Sequence, residues 1–220
     1  MARAEGNYAD AMTTSTDEYL TAVRECVAVL PATVLRYETD QFEEYVDLLS
    51  DRESTCDDHL RDLRRLCGRA DPNFTDVYLR TGEVMELYAT VDAVPNAAER
   101  FVRELESTRP TFTPETADDL AEMAALSARV TGVLADAIES YADSLVSDAV
   151  PADPGGDIDL IADLESRADA RKHRIVTRTF ANGPSAEALL VRDLVNSLDA
   201  TLDAAEDAAD HLLFMHGASV

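Results

Sequence analysis

The chain has 220 residues, 46% of them hydrophobic, which is enough to bury a sizeable core. It carries 44 acidic and 19 basic residues for a net charge of −25, a surface that repels nucleic acid and anionic lipid and so argues against DNA binding. No apolar run approaches the roughly 18 residues of a bilayer-spanning helix, and the first ten residues show no charged, apolar and small-residue succession of a signal peptide.

Aromatics are 6% and Trp is absent, so Ala, Leu and Val must fill the core, an alphabet that favours helices. The first predicted helix runs from about Thr16 to Tyr37, with Leu20, Val23, Val27 and Leu30 at helical spacing and a kink expected at Pro31. The second runs from about Asp40 to Cys67 on the stripe Phe42, Val46, Leu49, Leu60, Leu63 and Leu66, and ends at Gly68 and Ala70–Phe74. The third begins at Thr75 or Thr81 and ends near Ser107, before the break Arg109-Pro-Thr-Phe-Thr-Pro114.

Thr113-Pro114 followed by Glu115 is a good start for the fourth helix, which extends to about Asp148. Val150-Pro-Ala-Asp-Pro-Gly-Gly156 is the strongest turn signal in the chain. The fifth helix runs from about Asp157 to Phe180, and the sixth follows Ser185, a plausible N-cap, to about Phe214. No segment shows sustained strand alternation. The expected fold is all-α: six long helices as two tandem three-helix bundles, residues 1–110 and 111–220, in one compact domain.

The third and sixth helices align without a gap. Glu86, Asp92 and Glu99 meet Asp193, Asp199 and Glu206; Leu87 meets Leu194, Val91 meets Leu198, and Ala97 and Ala98 meet Ala204 and Ala205. Asn96 meets Asp203, an isosteric change that loses a charge. The second and fifth helices share a Glu-x-x-x-Asp step, Glu53 to Asp57 and Glu165 to Asp169. The order step, loop, step is the same in both halves, and the length difference falls in the loop, where it costs least.

Residues four apart lie on one helix face, with Cβ atoms roughly 5–6 Å apart. Two antiparallel helices could therefore bring Glu53, Asp57, Asp92 and Asn96 together, and likewise Glu165, Asp169, Asp199 and Asp203. Such oxygen-rich sets suit Mg, Mn, Fe or another carboxylate-accepting cation. With 44 acids in the chain, however, chance alone supplies about nine acidic pairs at this spacing. The competing interpretation of any one step is a solvated face; registration within the repeat is what raises these four. Asn96, and Pro95 as a bend beside it, make the second-half set the more complete one.

Other chemistry has no support. A ferritin-like di-iron site needs Glu-x-x-His, and none of His59, His173, His211 and His216 has Glu three residues before it. There is no Gly-rich phosphate loop, no Gly-x-Ser-x-Gly and no His-Glu-x-x-His. Cys26, Cys56 and Cys67 are an odd number without CxxC, as expected of buried reduced thiols in an intracellular protein. The acidity itself reads as a cation-binding surface or as adaptation to a high-salt cytoplasm. Acids spread along the whole chain, with Lys172 the only lysine, favour the second.

Two three-helix units with acidic steps on their second and third helices resemble the PhoU-like phosphate-transport regulators. The likeness is carried by Leu164-Glu-Ser-Arg-Ala-Asp169 with Phe180 and by Leu198-Asp-Ala-Thr-Leu-Asp203-Ala-Ala-Glu206, and more weakly by Glu53 to Asp57 and Asp92 to Glu99. The low-lysine, acid-rich surface would fit a haloarchaeal member. The resemblance implies a non-catalytic cytoplasmic accessory protein of phosphate uptake. It implies a metal ion (Fe, Mn, Mg, Zn or Ni) on the acidic steps. It also implies action on a phosphate transporter or signalling partner, at the inner face of the membrane and without insertion into it. Asn96 and Pro95 depart from the pattern. The alternative function is a metal-free structural or adaptor bundle that dimerises, or docks a partner helix, through an apolar face.

Overall fold

The computed structural model describes residues 2–69, 75–147, 153–181 and 183–217. Among them every regular element is helical: α1 (Ala2–Val27), α2 (Leu30–Arg36), α3 (Phe42–Cys67), α4 (Thr75–Leu79), α5 (Thr81–Thr108), α6 (Pro114–Val146), α7 (Gly155–Thr179) and α8 (Ala186–Gly217). Six long helices are present as expected, but the first starts at Ala2, well before the expected Thr16, and stops at Val27, the stretch to Tyr37 being the separate short helix α2; α4 is a second short addition. The turn segments expected at Ala70–Phe74 and Val150–Ala152, and the expected end of the fourth helix at Asp148, lie outside the described residues.

Pro31 does more than kink the first helix. The chain leaves helical geometry after Val27, and Pro31 sits in the first turn of α2, where its missing N–H costs nothing. Thr39 and Tyr37 tie the corner down, with the Tyr37 hydroxyl donating to the Pro110 carbonyl at 2.7 Å. Pro95, by contrast, lies inside α5 and does not end it. The predicted starts of α6 and α8 hold: Thr113 Oγ1 accepts from the Thr116 N–H at 3.3 Å, and Ser185 Oγ accepts from the Ala188 N–H at 3.0 Å. Arg109 closes α5 in the left-handed region at φ 43°, and its guanidinium lies over the Phe42 ring, 4.7 Å from the centroid.

The repeat seen in the sequence is also a repeat of burial. Along α3 and α7, buried Leu49, Cys56 and Leu63 correspond to buried Ile161, Ala168 and Ile175. Along α5 and α8, buried Leu87, Val91, Ala98 and Leu105 correspond to buried Leu194, Leu198, Ala205 and Leu212. Spacings of four and seven keep each set on one stripe, which is why the same register that aligns the acids aligns the core.

α1 packs on α3 and on α6, α3 on α5, α6 on α7, and α7 on α8, while α5 and α8 make the most extensive contact of any pair. Their alanines let the two backbones approach closely, since Ala97, Ala98, Ala204, Ala205 and Ala208 are all buried. The pair is antiparallel: at the start of α5, Arg80 donates to the Met215 carbonyl near the end of α8, and also to the Tyr141 hydroxyl of α6. Tyr19, Tyr88 and Tyr141 are the largest fully buried side chains. Tyr19 meets Tyr88 edge to face at 5.9 Å, and the Tyr88 hydroxyl is paired with Thr16 at 2.8 Å, so these polar tips carry no desolvation debt.

Candidate functional site

Each acidic step lies beside the buried stripe of its helix, at the edge where that helix meets its neighbour. In the first half, α3 supplies Glu53 and Asp57, on either side of buried Cys56. α5 supplies Asp92 and Asn96, flanked by buried Val91, Val94 and Pro95. Glu53 feels Glu99 more strongly than any other charge, and Asp92 feels Asp57 most. The two steps therefore lie side by side in antiparallel register. Burial, then repulsion from Glu99, Asp57 and Asp92, raises the Glu53 carboxyl above its usual range; burial, then Asp57, does the same to Asp92, against the opposing pull of Arg64 and of the Asn96 side chain.

Asp92 is the most telling residue of this seam. Its Oδ1 is buried and has no hydrogen-bond partner among the described residues. Glu53, Asp57 and Asp92 have no ion pair among those residues either; Arg64 and Arg103 act only at longer range. The Asn96 amide is turned along its own helix, donating to the Asp92 carbonyl at 2.6 Å. Glu99, which stood in register in the sequence but outside the expected site, belongs to the seam and is held by Arg103 of the next turn at 2.8 Å.

The second half brings Glu165 and Asp169 of α7 against Asp199 and Asp203 of α8, together with Glu206. Glu165, Asp203 and Glu206 are raised by burial first and by neighbouring acids after it. The composition of this seam differs from the first in one respect that the acidic register does not reveal. The Lys172 ammonium lies between the two helices, paired with Asp199 Oδ2 and, at 3.3 Å, with Asp169 Oδ1. Burial works against its charge, but the bonds to Asp199 and Asp169 outweigh it and lift Lys172 above the ordinary lysine value. Asp199 is 4% exposed; burial raises its carboxyl and Lys172 opposes that rise.

The back of α7 is basic as well. Arg171, Arg174 and Arg178 converge from three successive turns on Asp119 of α6, at 3.1, 3.0 and 2.8 Å. Burial alone would raise Asp119, but Arg178, Arg171 and Arg174 hold it below the usual carboxylate range.

Among the described residues, no three His, Cys, Asp or Glu side chains stand close enough to grip one metal ion. Both seams are electronegative clefts and not preformed cages. The histidines stand apart from them: His211 faces the Glu83 carbonyl at 3.3 Å, and His59 lies 4.0 Å from Glu18. Cys26, Cys56 and Cys67 are buried free thiols, as expected.

Fold comparison gives this geometry a setting. A PhoU-like protein of Shewanella oneidensis MR-1 superposes with a TM-score of 0.80 at 13% identity, covering 94% of this chain and 99% of the other. A second chain from the same organism, described as a putative PhoU-like phosphate regulatory protein, gives 0.80 at 15% identity over 95% and 100%. The fold is PhoU-like. No family model and no curated protein matches the sequence itself. Among the described residues, no helix is long and apolar enough to cross a membrane.

Proposed function

We propose that this protein is a non-catalytic regulator of phosphate uptake, acting in the cytoplasm on a phosphate transporter or a phosphate-signalling protein. The observation that carries this reading is the conjunction of a PhoU-like fold over nearly the whole chain with acidic steps placed in register on both halves. Loss of the gene from its host should alter phosphate uptake at limiting or at abundant phosphate. Unchanged uptake under both conditions would sink the proposal.

The acidic steps are proposed to bind a metal ion. What supports this in the first seam is the buried, unpartnered Asp92 oxygen together with Glu53 and Asp57, which have no ion pair among the described residues; an ion would have to draw these side chains together, since they do not stand as a preformed cage. These residues would hold the ion, and their all-oxygen donors suit Mg or Mn before Zn or Ni. A bound cation would supply the positive centre that an otherwise acidic surface needs to attract phosphate. Elemental analysis of purified protein should find metal that is lost in Asp57→Asn and Asp92→Asn. Phosphate titration should show binding that a chelator abolishes; equal binding in chelated protein would remove the metal from this role.

A metal-free adaptor remains the competing function. It has one observation of its own: Leu213 and Phe214 on α8, with Tyr78 and Leu79 on α4, are 42%, 64%, 51% and 73% exposed, which would serve docking of a partner or a second copy. Light scattering on the wild type and Phe214→Glu separates this from a monomeric regulator. The acid-rich, lysine-poor surface is further proposed to be a high-salt adaptation. A thermal midpoint that rises with KCl is its signature, and one that is flat in KCl would exclude it.

A further inference from the structure

We infer that Lys172 is the resident cation of the second acidic seam, a tethered ammonium bridging Asp169 and Asp199, so that this half takes up no metal ion while the ammonium is in place. This deepens the proposed reading of the seams as cation sites and rests on it.

Three observations meet at this residue. Lys172 is the only lysine in 220 residues, every other Lys or Arg being Arg, so an ammonium side chain occurs once in the chain and occurs here. It bridges the two helices of the seam, with one carboxylate from each, Asp169 of α7 and Asp199 of α8. And the repeat shows what the position is when no ammonium is present. Glu53 corresponds to Glu165 and Asp57 to Asp169, which places Leu60 opposite Lys172. Leu60 is 1% exposed and packed in the core, so this position gives the seam no charge; Arg64, one turn on, acts on Asp92 without forming an ion pair with it. Across from it Asp92 has an unpartnered buried oxygen, whereas its counterpart Asp199 has the ammonium.

The chemistry of the exchange is direct. An ammonium is a compact point charge on a flexible four-carbon stem with three donors, the nearest a side chain comes to a small hydrated cation. Arginine would bring a planar fork and a bulkier, less strongly hydrated head. Tethering gives the ammonium an effective concentration in the millimolar range or above, with no translational entropy to lose. A divalent ion entering the second seam would have to displace it, strip it from buried Asp199 and leave it beside the incoming charge. In the first seam Asp92 and Asp57 have no ion-paired side chain to displace, the one pair there being Arg103 with Glu99.

The test is manganese binding to the full-length protein, counted by electron paramagnetic resonance of the free ion, for wild type, Asp92→Asn, Asp199→Asn, Lys172→Met and Lys172→Met/Asp199→Asn. The wild type should bind one ion per chain and lose it in Asp92→Asn. Lys172→Met should gain one further ion, and Asp199→Asn in that background should remove the gain. A wild type that binds a second ion lost in Asp199→Asn overturns the inference, as does a Lys172→Met that gains none. Should the wild type bind no manganese while Lys172→Met gains an ion, the first-seam reading fails and the Lys172 assignment stands. If Lys172→Met does not fold, the single lysine gives a second measurement. Its 15Nζ signal in the otherwise unlabelled protein should not move on saturation with manganese-mimicking magnesium, and release of the ammonium into a solvent-like signal would overturn the inference.

Discussion

The seam between α3 and α5 leaves its carboxylates facing one another across a helix pair, while the seam between α7 and α8 carries its own ammonium. The difference extends to the basic residues of the C-terminal halves of the two outer helices, although earlier on α3 Arg52 pairs with Glu25 of α1. On α3, Arg61 and Arg65 pair with Asp58 and Asp62 three residues back, on the exposed surface of the same helix. On α7, Arg171, Lys172, Arg174 and Arg178 all reach carboxylates of neighbouring helices. Two halves with the same fold and the same acidic register thus manage charge differently. One leaves its central pair, Asp57 and Asp92, without an ion pair among the described residues, and the other bridges the matching pair, Asp169 and Asp199, with an ammonium between the helices. The lesson is that a motif of acids describes a site only together with the cations that share its space.

The contrast can be broken from its stronger side first. Removing Asp119 leaves three arginines facing one another on α7, so Asp119→Ala should lower unfolding stability by about 2–3 kcal/mol in urea titration, discounted for the partial exposure of the arginines. A loss below a few tenths would mean that the cluster is decoration. Next comes Lys172→Met, which strands buried Asp199 beside Asp169 and Asp203. A loss of about 1–2 kcal/mol is expected, most of it recovered when Asp199→Asn is added, because the stranded charge and not the lost contact is the cost. No recovery in the double variant would contradict that account.

The arginine-held Asp119 and the acids of the seams should respond to pH with opposite sign. Asp119 is held below its ordinary pKa in the folded state, so its stabilisation is present above the unfolded value and is lost as pH falls through and below it. Glu53 and Asp92 are raised, so the folded state holds their protons more tightly; their favourable contribution is full below the unfolded values and is lost as pH rises through the folded ones. In chelated protein, Asp92→Asn should therefore raise the thermal midpoint by about 2–4 °C at neutral pH, with the gain shrinking as the solution is acidified into the carboxylate range. A gain that does not depend on pH would show that the effect is not electrostatic. Smallest of all, Arg61→Gln and Arg65→Gln should each change stability by less than about 0.5 kcal/mol, because their pairs are solvated and screened.

What the sequence determined by itself is the helix content, the six long elements, the caps at Thr113 and Ser185, and the repeat that pairs Asp92 with Asp199 and Leu87 with Leu194. All of these depend on residues near one another in the chain or on a fixed offset, and periodicity records both. Two prolines depart from expectation for local reasons: Pro31 begins a new helix, since its ring is tolerated in a first turn, and Pro95 passes through α5 without ending it.

The partners of the acids are not legible in the same way. Lys172, three residues after Asp169, is plain in the sequence, but nothing there says that its stem crosses to α8 and that Leu60, at the matching position, turns inward. Asn96 is the visible flaw of the first half and favours the other half as the more complete cation site; the proposed role of Lys172 reverses that order. Which acid keeps an unpartnered oxygen and which receives an ammonium was decided only by the tertiary structure. The reason is physical: charge compensation acts through space across a helix pair, and its energy depends on burial and distance, which no one-dimensional spacing contains.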